Sequence, residues 1–373
     1  MATTERPEAS APAASDVAAS CRDAGLVRVV GAPRGEALAA VGLLARALDD
    51  AGVPFQAGIE RDLRDAVTDA DAMLAVGLDH AAATHALDAD VVPLADAVAT
   101  ELAEPSPILA LAGVLATAED PASAIHEDAT AAGVERRPGV AIPTTDPVDG
   151  LVHSTLVHGP FSGDREAAAA LVAEADPGDQ LDPDDRRRLA SAVTLAIAAD
   201  APTACRAGQR VDRVLRPFAG GPFETVGGYA DVLDALARRT PGLGVATVLG
   251  AADREAALDA WRTHATAVHR GVEAANARRH DGLEVAEVGG VDAAALEPVA
   301  RLRRDFRSPE PAVLVLGDAR AALATGDDHH AAAVLMDVVE GGDDVTGDAR
   351  LASIPLGDGD VETAVSAALG GNL

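Results

Sequence analysis

Between Leu26 and Ala51 the chain passes from a short β-branched run, through the turn Gly31-Ala32-Pro33-Arg34-Gly35, into a long helical pattern that begins at Glu36. A strand, a loop and a helix in that order form the unit from which parallel sheets are built. The unit repeats. Ala72 to Val76 reads as a buried strand ending at Gly77-Leu78-Asp79-His80, followed by a helix from Ala81 and a strand around Val91 to Leu94. A helix from Ile108 to Ala118 ends in Glu119-Asp120-Pro121. Strands that alternate with helices need cover on both faces, so the expectation is an α/β domain with a parallel sheet. In such sheets ligands collect beyond the carboxyl ends of the strands, where Gly31 to Gly35, Asp79 and Asp96 fall on this reading.

Residues 122–150, rich in Pro, Asp and Thr, read as a loop or boundary. The stretches Arg165 to Ala199, Tyr229 to Arg239 and Arg254 to Arg279 are helical by pattern and separated by Gly-Pro turns. Beyond them, strands are expected at Leu283 to Val288, Ala312 to Leu316 and Ala319 to Ala324, with helices at Ala293 to Arg304, His330 to Val339 and Val361 to Leu369. A chain of 373 residues has room for two or three domains. The expected division is a disordered tail over 1–22, a parallel-sheet domain over 23–150, a helical connector over 151–280 and a smaller C-terminal mixed α/β domain over 281–373.

Formal net charge is -30, from 60 acidic and 30 basic residues, and every basic residue is arginine. Such a surface repels itself in dilute buffer and is calmed by concentrated salt, which screens charge over a few ångströms. The acid excess is read as adaptation to a salt-rich cytoplasm, so it argues neither for nor against nucleic-acid binding. Cys21 and Cys205 make neither a disulfide framework nor a zinc set, which fits a reducing, cytoplasmic setting. No apolar run approaches a membrane span, and Met1 to Ser20 lacks the apolar core of a signal. Aromatic residues are 2% of the chain, so the stacking platforms of many single-strand binders are scarce.

Several strings carry a resemblance through their order along the chain. They are Leu43-Leu44-Ala45-Arg46-Ala47-Leu48 with Ala51-Gly52-Val53-Pro54-Phe55; His153-Ser154-Thr155 through Phe161-Ser162-Gly163-Asp164; Arg188-Leu189-Ala190-Ser191; and Gly227-Gly228-Tyr229-Ala230-Asp231-Val232-Leu233. From about residue 25 to the C-terminus the chain resembles the archaeal RecJ-like branch of the DHH phosphoesterase superfamily, of haloarchaeal type. The resemblance implies a DHH-like sheet domain and a DHH-associated C-terminal domain. It also implies hydrolysis of phosphodiesters by two metal ions, Mn2+ or Mg2+, held by an Asp-x-Asp turn, an aspartate at a second strand end, the Asp-His-His motif and a fourth-motif aspartate. Hard divalent cations prefer carboxylates, and paired ions clamp the attacking and leaving oxygens at phosphorus.

Carried onto this sequence, the pattern is eroded. Arg34 stands where the first aspartate belongs, Glu36 at the second, and Ala37 replaces the glycine that follows. Asp79 matches the second motif, Asp96-Ala97-Val98 takes the place of the third without its histidines, and Asp120 suits the fourth. Glu36, Asp79, Asp96 and Asp120 would then surround a pocket in which Arg34 pairs with one or more carboxylates, a protein cation in place of a metal. The family's glycine-rich loop for the nucleic-acid backbone corresponds to Gly341, Gly342, Gly347 and Arg350, with Asp348 in place of its histidine. Added acids face a phosphate poorly. Arg350 is the one candidate for a phosphate there, and a solvated glycine turn is the alternative.

A literal Asp328-His329-His330 lies in the C-terminal region before a helix and reads as N-terminal capping. His153 and His158 flank Ser154 without a nucleophile elbow, which favours a supporting or surface role. Arg186-Arg187-Arg188 and Arg301, Arg303, Arg304 and Arg307 are the basic clusters, either solvated helix faces or docking points for a phosphate backbone or an acidic partner. The expected function is a RecJ-like protein of DNA replication or repair that has lost its nuclease chemistry. It would act as a scaffold or nuclease partner on single-stranded DNA, joining GINS and the replicative helicase or an active RecJ paralogue. The rival is an active metal-dependent single-strand exonuclease or phosphoesterase.

Overall fold

The computed structural model describes residues 12–61, 69–78, 82–117, 121–175, 181–200, 204, 206–280, 282–339, 345–357 and 359–370. In chain order the elements begin α1 (Ala14–Asp23), β1 (Val27–Gly31), α2 (Gly35–Asp50), β2 (Phe55–Ile59), β3 (Ala72–Val76), β4 (His85–Leu87), α3 (Val91–Leu102), α4 (Pro107–Ala116) and α5 (Ser123–Ala131). Next come β5 (Glu135–Arg136), α6 (Pro147–His153), α7 (Arg165–Glu174), α8 (Pro183–Ala199), α9 (Ala207–Val214) and β6 (Phe218–Ala219). Then follow α10 (Val226–Arg239), α11 (Pro241–Val248), α12 (Arg254–Ala274), β7 (Asn276–His280), β8 (Leu283–Glu287) and α13 (Ala293–Leu302), which runs into a π-helical turn at Arg303–Arg307. The chain ends with β9 (Ala312–Leu316), β10 (Arg320–Ala324), α14 (Ala331–Val338), β11 (Thr346–Gly347), β12 (Leu351–Pro355) and α15 (Val361–Gly370).

These elements divide into two compact units, 1–134 with 232–257, and 135–231 with 258–373. The division therefore departs from the expected boundaries at 150 and 280, because a unit is defined by packing and packing need not follow chain order.

In the first unit a four-stranded parallel sheet has the order β2-β1-β3-β4. All five residues of β3 are buried, as a strand covered on both faces requires. Helix α2 is the central cover. Ala, Leu and Val fill most of its sixteen positions and twelve residues are buried, so it packs against neighbours nearly all round. Gly42 allows one of these contacts: a Cβ there would stand 2.6 Å from Cβ of Val248 in α11. The sheet order reverses between β1 and β3, which is the topological switch point of a doubly wound fold.

In the second unit six strands form a mixed sheet of order β11-β12-β10-β9-β8-β7, parallel only between β8 and β9. Side chains alternate across it. Val313, Val315, Ala322 and Ala324 join the core that contains α13, while Leu314, Leu323 and Val285 face the core of α14 and α15.

Four expectations are corrected by these elements. Residues 14–22 of the expected tail lie in α1, with Val17, Ala18 and Cys21 buried; residues 1–11 lie outside the described set. The strand expected at Val91 to Leu94 is the start of α3, because the apolar residues recur at helical spacing and bury Val92, Ala95, Val98 and Ala99; the strand is His85–Leu87 instead. The expected loop at 122–150 contains α5 and α6. The helix expected to run to Arg279 stops at Ala274, and Asn276–His280 pairs antiparallel with β8 as the sheet's edge.

Candidate functional site

The switch point is where a doubly wound sheet leaves a crevice, and in the first unit Arg34 stands at it. Arg34 follows β1 and is 8% exposed. Its Nη2 donates to the carbonyl oxygen of Gly77, just past β3, at 3.1 Å, and its Nε lies 2.9 Å from Oε1 of Glu36. Gly77 has φ of +66°, a left-handed turn at which a side chain would be strained. A Cβ there would also stand 3.0 Å from the Arg34 guanidinium, so glycine both makes the turn and admits the cation.

The N-terminus of α2 is occupied by a carboxylate. The amide of Gly35 donates to Oδ1 of Asp234 at 3.1 Å, while Oδ2 of Asp234 receives Nε of Arg238 at 2.9 Å. A helix N-terminus attracts an anion, and here that anion is a side chain of α10. Asp234 and Arg238 were not singled out in the sequence. Their i, i+4 spacing marks a helical ion pair, but nothing in the chain order links them to a glycine roughly two hundred residues earlier.

Of the four carboxylates expected to form a ring, the structure describes two, Glu36 and Asp96. Glu36 lies against Arg34. Asp79 and Asp120 lie outside the described residues. Asp96 sits within α3, not at a strand end; burial, and after it the Asp128 carboxylate, pushes its carboxyl above the ordinary range. Its Oδ1 is buried and has no hydrogen-bond partner among the described residues. The acids that follow β4 are Asp88 and Asp90, both exposed, with Asp90 in the left-handed region at φ of 47°. A pair of divalent cations needs several carboxylates free to turn oxygens inward. Glu36 turns toward a guanidinium, and among the described residues no three His, Cys, Asp or Glu side chains converge to hold an ion. The two described members of the expected set, Glu36 and Asp96, are by themselves too few to hold a pair of ions.

The other candidates are drawn into structure. Gly341 and Gly342 lie outside the described residues. Gly347, at φ of +137°, backs onto β12, where a Cβ would stand 2.3 Å from the Leu351 carbonyl oxygen. Arg350 lies 3.1 Å from Oδ1 of Asp327. His330, not an acid, caps α14, its Nδ1 accepting from the amide of Ala333 at 3.3 Å. The arginines at 301–307 are not a solvated face. Arg303 pairs with buried Glu284 at 2.8 Å, Arg304 with Asp305 at 2.7 Å, and Arg307 with Asp200 and Glu273, each at 2.6 Å. Burial of Arg303 and Arg304 makes their two pairs internal, while Glu273, a partner of Arg307, is exposed.

His158 and His269 belong to that same interior. His269 Nε2 donates to the Ser154 carbonyl oxygen at 3.0 Å, which leaves its Nδ1 to accept from Nδ1 of His158 at 3.1 Å. On its other side His158 Nε2 meets Glu273 Oε1 at 2.9 Å and Arg307 Nη2 at 3.0 Å. Burial lowers both histidines, His269 to about 3, while the bond with His158 and the nearby Arg307 hold Glu273 down at about 2. His153 instead contacts Asp149 at 3.0 Å and stands edge-on to Trp261.

Comparison with known proteins places this geometry. Residues 275–369 match the family described as the C-terminal domain of the uncharacterized protein rrnAC1427. The rrnAC1427 protein of Haloarcula marismortui is 47% identical over 356 residues, covering 93% of this chain and 94% of that protein. Among solved structures, CDC45 from Entamoeba histolytica superposes with a TM-score of 0.56 at 9% identity, over 96% of this chain and 98% of that one. Exonuclease RecJ bound to manganese superposes with a TM-score of 0.50 at 13% identity, over 99% and 96% of the two chains. At such identities the likeness is one of fold.

Proposed function

We infer the function from the premise that this chain belongs to the rrnAC1427 family and carries the fold of RecJ and CDC45, and propose that it is a non-catalytic RecJ-like protein of DNA replication or repair. It acts as a scaffold at single-stranded DNA, joined to GINS and the replicative helicase or to an active RecJ paralogue. The observation that carries this reading is the Arg34 guanidinium at the β1–β3 switch point, bound to the Gly77 carbonyl and facing Glu36. A fixed cation there opposes a divalent ion by like charge and satisfies the polar groups an ion would need. The Asp234 carboxylate on the α2 N-terminus likewise takes the place a phosphate oxygen would occupy.

A second reading, a metal-dependent exonuclease or phosphoesterase, is favoured by one feature. Asp88 and Asp90 follow β4 and are exposed, so acids do stand at a strand end. Incubation of the purified protein with labelled single-stranded DNA and Mn2+ in high salt separates the two readings. The scaffold reading expects no degradation above a no-protein control. Robust digestion that Asp79→Ala abolishes would overturn it. Recovery of GINS and helicase, or of a nuclease, with the tagged protein from its native cell then distinguishes the two scaffold partners.

A further inference from the structure

Helices α7 and α8 of the second unit leave a groove of about 470 Å³ between them. Leu171 and the small residues Ala175, Ala192 and Ala196 line it. Leu195 of α8 lines it too and is 68% exposed, one of two exposed large apolar side chains among the described residues. Glu174 closes the groove from α7, and Arg187 and Arg188 close it from α8.

We propose that this groove is the seat of a two-fold contact between two copies of the chain, with Leu195 of each copy entering the groove of the other. The patch is complementary to itself, as an isologous contact must be. It carries both a knob, Leu195, and a hole lined by alanines. It also carries both signs of charge, on different helices. A two-fold axis along the groove lays α8 of each copy over α7 of the other, which sets Arg187 against the second copy's Glu174. The present partner of Arg187 is Asp184, and with side chains 62% and 74% exposed that ion pair is weak enough to be exchanged.

Charge fixes the conditions. Two chains each of formal charge -30 repel until salt screens them, so an apolar contact between them strengthens as salt rises. Stable complexes bury about 800 Å² per partner, and a single groove between two helices offers less, so the association is weak and shows only at high protein concentration.

Sedimentation equilibrium on the full chain tests this, from about 5 to about 300 µM protein in about 2 M and about 0.2 M KCl. The expected result is a mass rising toward twice the monomer at the higher salt and less association at the lower. Leu195→Glu weakens the dimer at least tenfold, and Leu195→Ala weakens it less, with circular dichroism unchanged for both. Glu174→Arg and Arg187→Glu each weaken it several-fold, and the two together restore it. A monomer throughout the range, a dimer indifferent to both Leu195 variants, or a double exchange that restores nothing overturns the proposal.

Discussion

Arg34 Nη2 lies 3.1 Å from the carbonyl oxygen of Gly77, so the loop after β1 is tied to the loop after β3 across the one point where the sheet order reverses. The tie joins the carboxyl ends of the two central strands, beside the place where such folds bind ligands. Removal of this side chain is expected to be felt first in stability.

Arg34→Met keeps the apolar stem, leaves Glu36 facing no guanidinium at that position and takes the donor from Gly77. The expected cost is about 3 kcal/mol, since breaking one side of a largely buried ion pair leaves the other charge uncompensated. Guanidinium chloride unfolding at fixed salt measures it; a loss under about 1 kcal/mol would show that the contact contributes little.

Asp231 is 2% exposed and accepts from the Thr155 amide at 3.0 Å, the Thr155 hydroxyl and Trp261 Nε1 at 2.9 Å. Asp231→Ala strands three buried donors and is expected to cost about 3–5 kcal/mol, whereas Trp261→Phe removes one donor and costs about 1–2 kcal/mol. Thermal unfolding of the two variants side by side gives the comparison, and equal losses would contradict the network.

Stability is expected to fall as pH is lowered from about 6.5. His269 has a folded value of about 3 against a usual value of 6.5, so the unfolded chain takes up its proton first. The stabilisation is fully present above pH 6.5 and is lost progressively toward about pH 3, with a slope near 1.4 kcal/mol per pH unit for one such proton. Glu273, lowered to about 2, adds a loss below pH 4.5 with the same sign. Chemical unfolding at a series of pH values reads the slope, and His269→Gln is expected to flatten it between pH 6 and 5.

At Gly228 a Cβ would stand 2.2 Å from the Ile142 carbonyl carbon and 2.3 Å from the Pro143 nitrogen. Those are backbone atoms and cannot swing aside. Gly228→Ala is expected to lose more than about 3 kcal/mol, measured as a drop in soluble yield and unfolding midpoint. By contrast Gly208→Ala, with nothing within 4 Å of a built Cβ, is expected to be neutral or slightly stabilising.

The amino-acid pattern by itself determined the local elements of the sheets. Ala72 to Val76 is apolar throughout because both of its faces are covered, and that shows without coordinates. The α2 helix, strands β8 to β10 and helix α13 were legible for the same reason, since local periodicity and burial agree there. Where they diverged, sequence misled: Val91-Val92 has strand composition, yet burial at Val92, Ala95, Val98 and Ala99 follows a helix. That shift carried Asp96 from a strand end into α3 and left Asp88 and Asp90 behind β4.

The placement of Arg34 after the first strand was likewise legible. The tertiary structure decided the rest. The carbonyl that Arg34 meets belongs to Gly77, and the carboxylate on the α2 N-terminus comes from Asp234, across 43 and 199 residues of chain. The arginines at 303 and 304, polar by composition, are buried because Glu284, Asp305 and the Val272 and Thr325 carbonyls receive them. Periodicity records what each residue does to its own neighbourhood. Which distant group satisfies a charge is set by packing, through contacts whose sequence separation has no local signature.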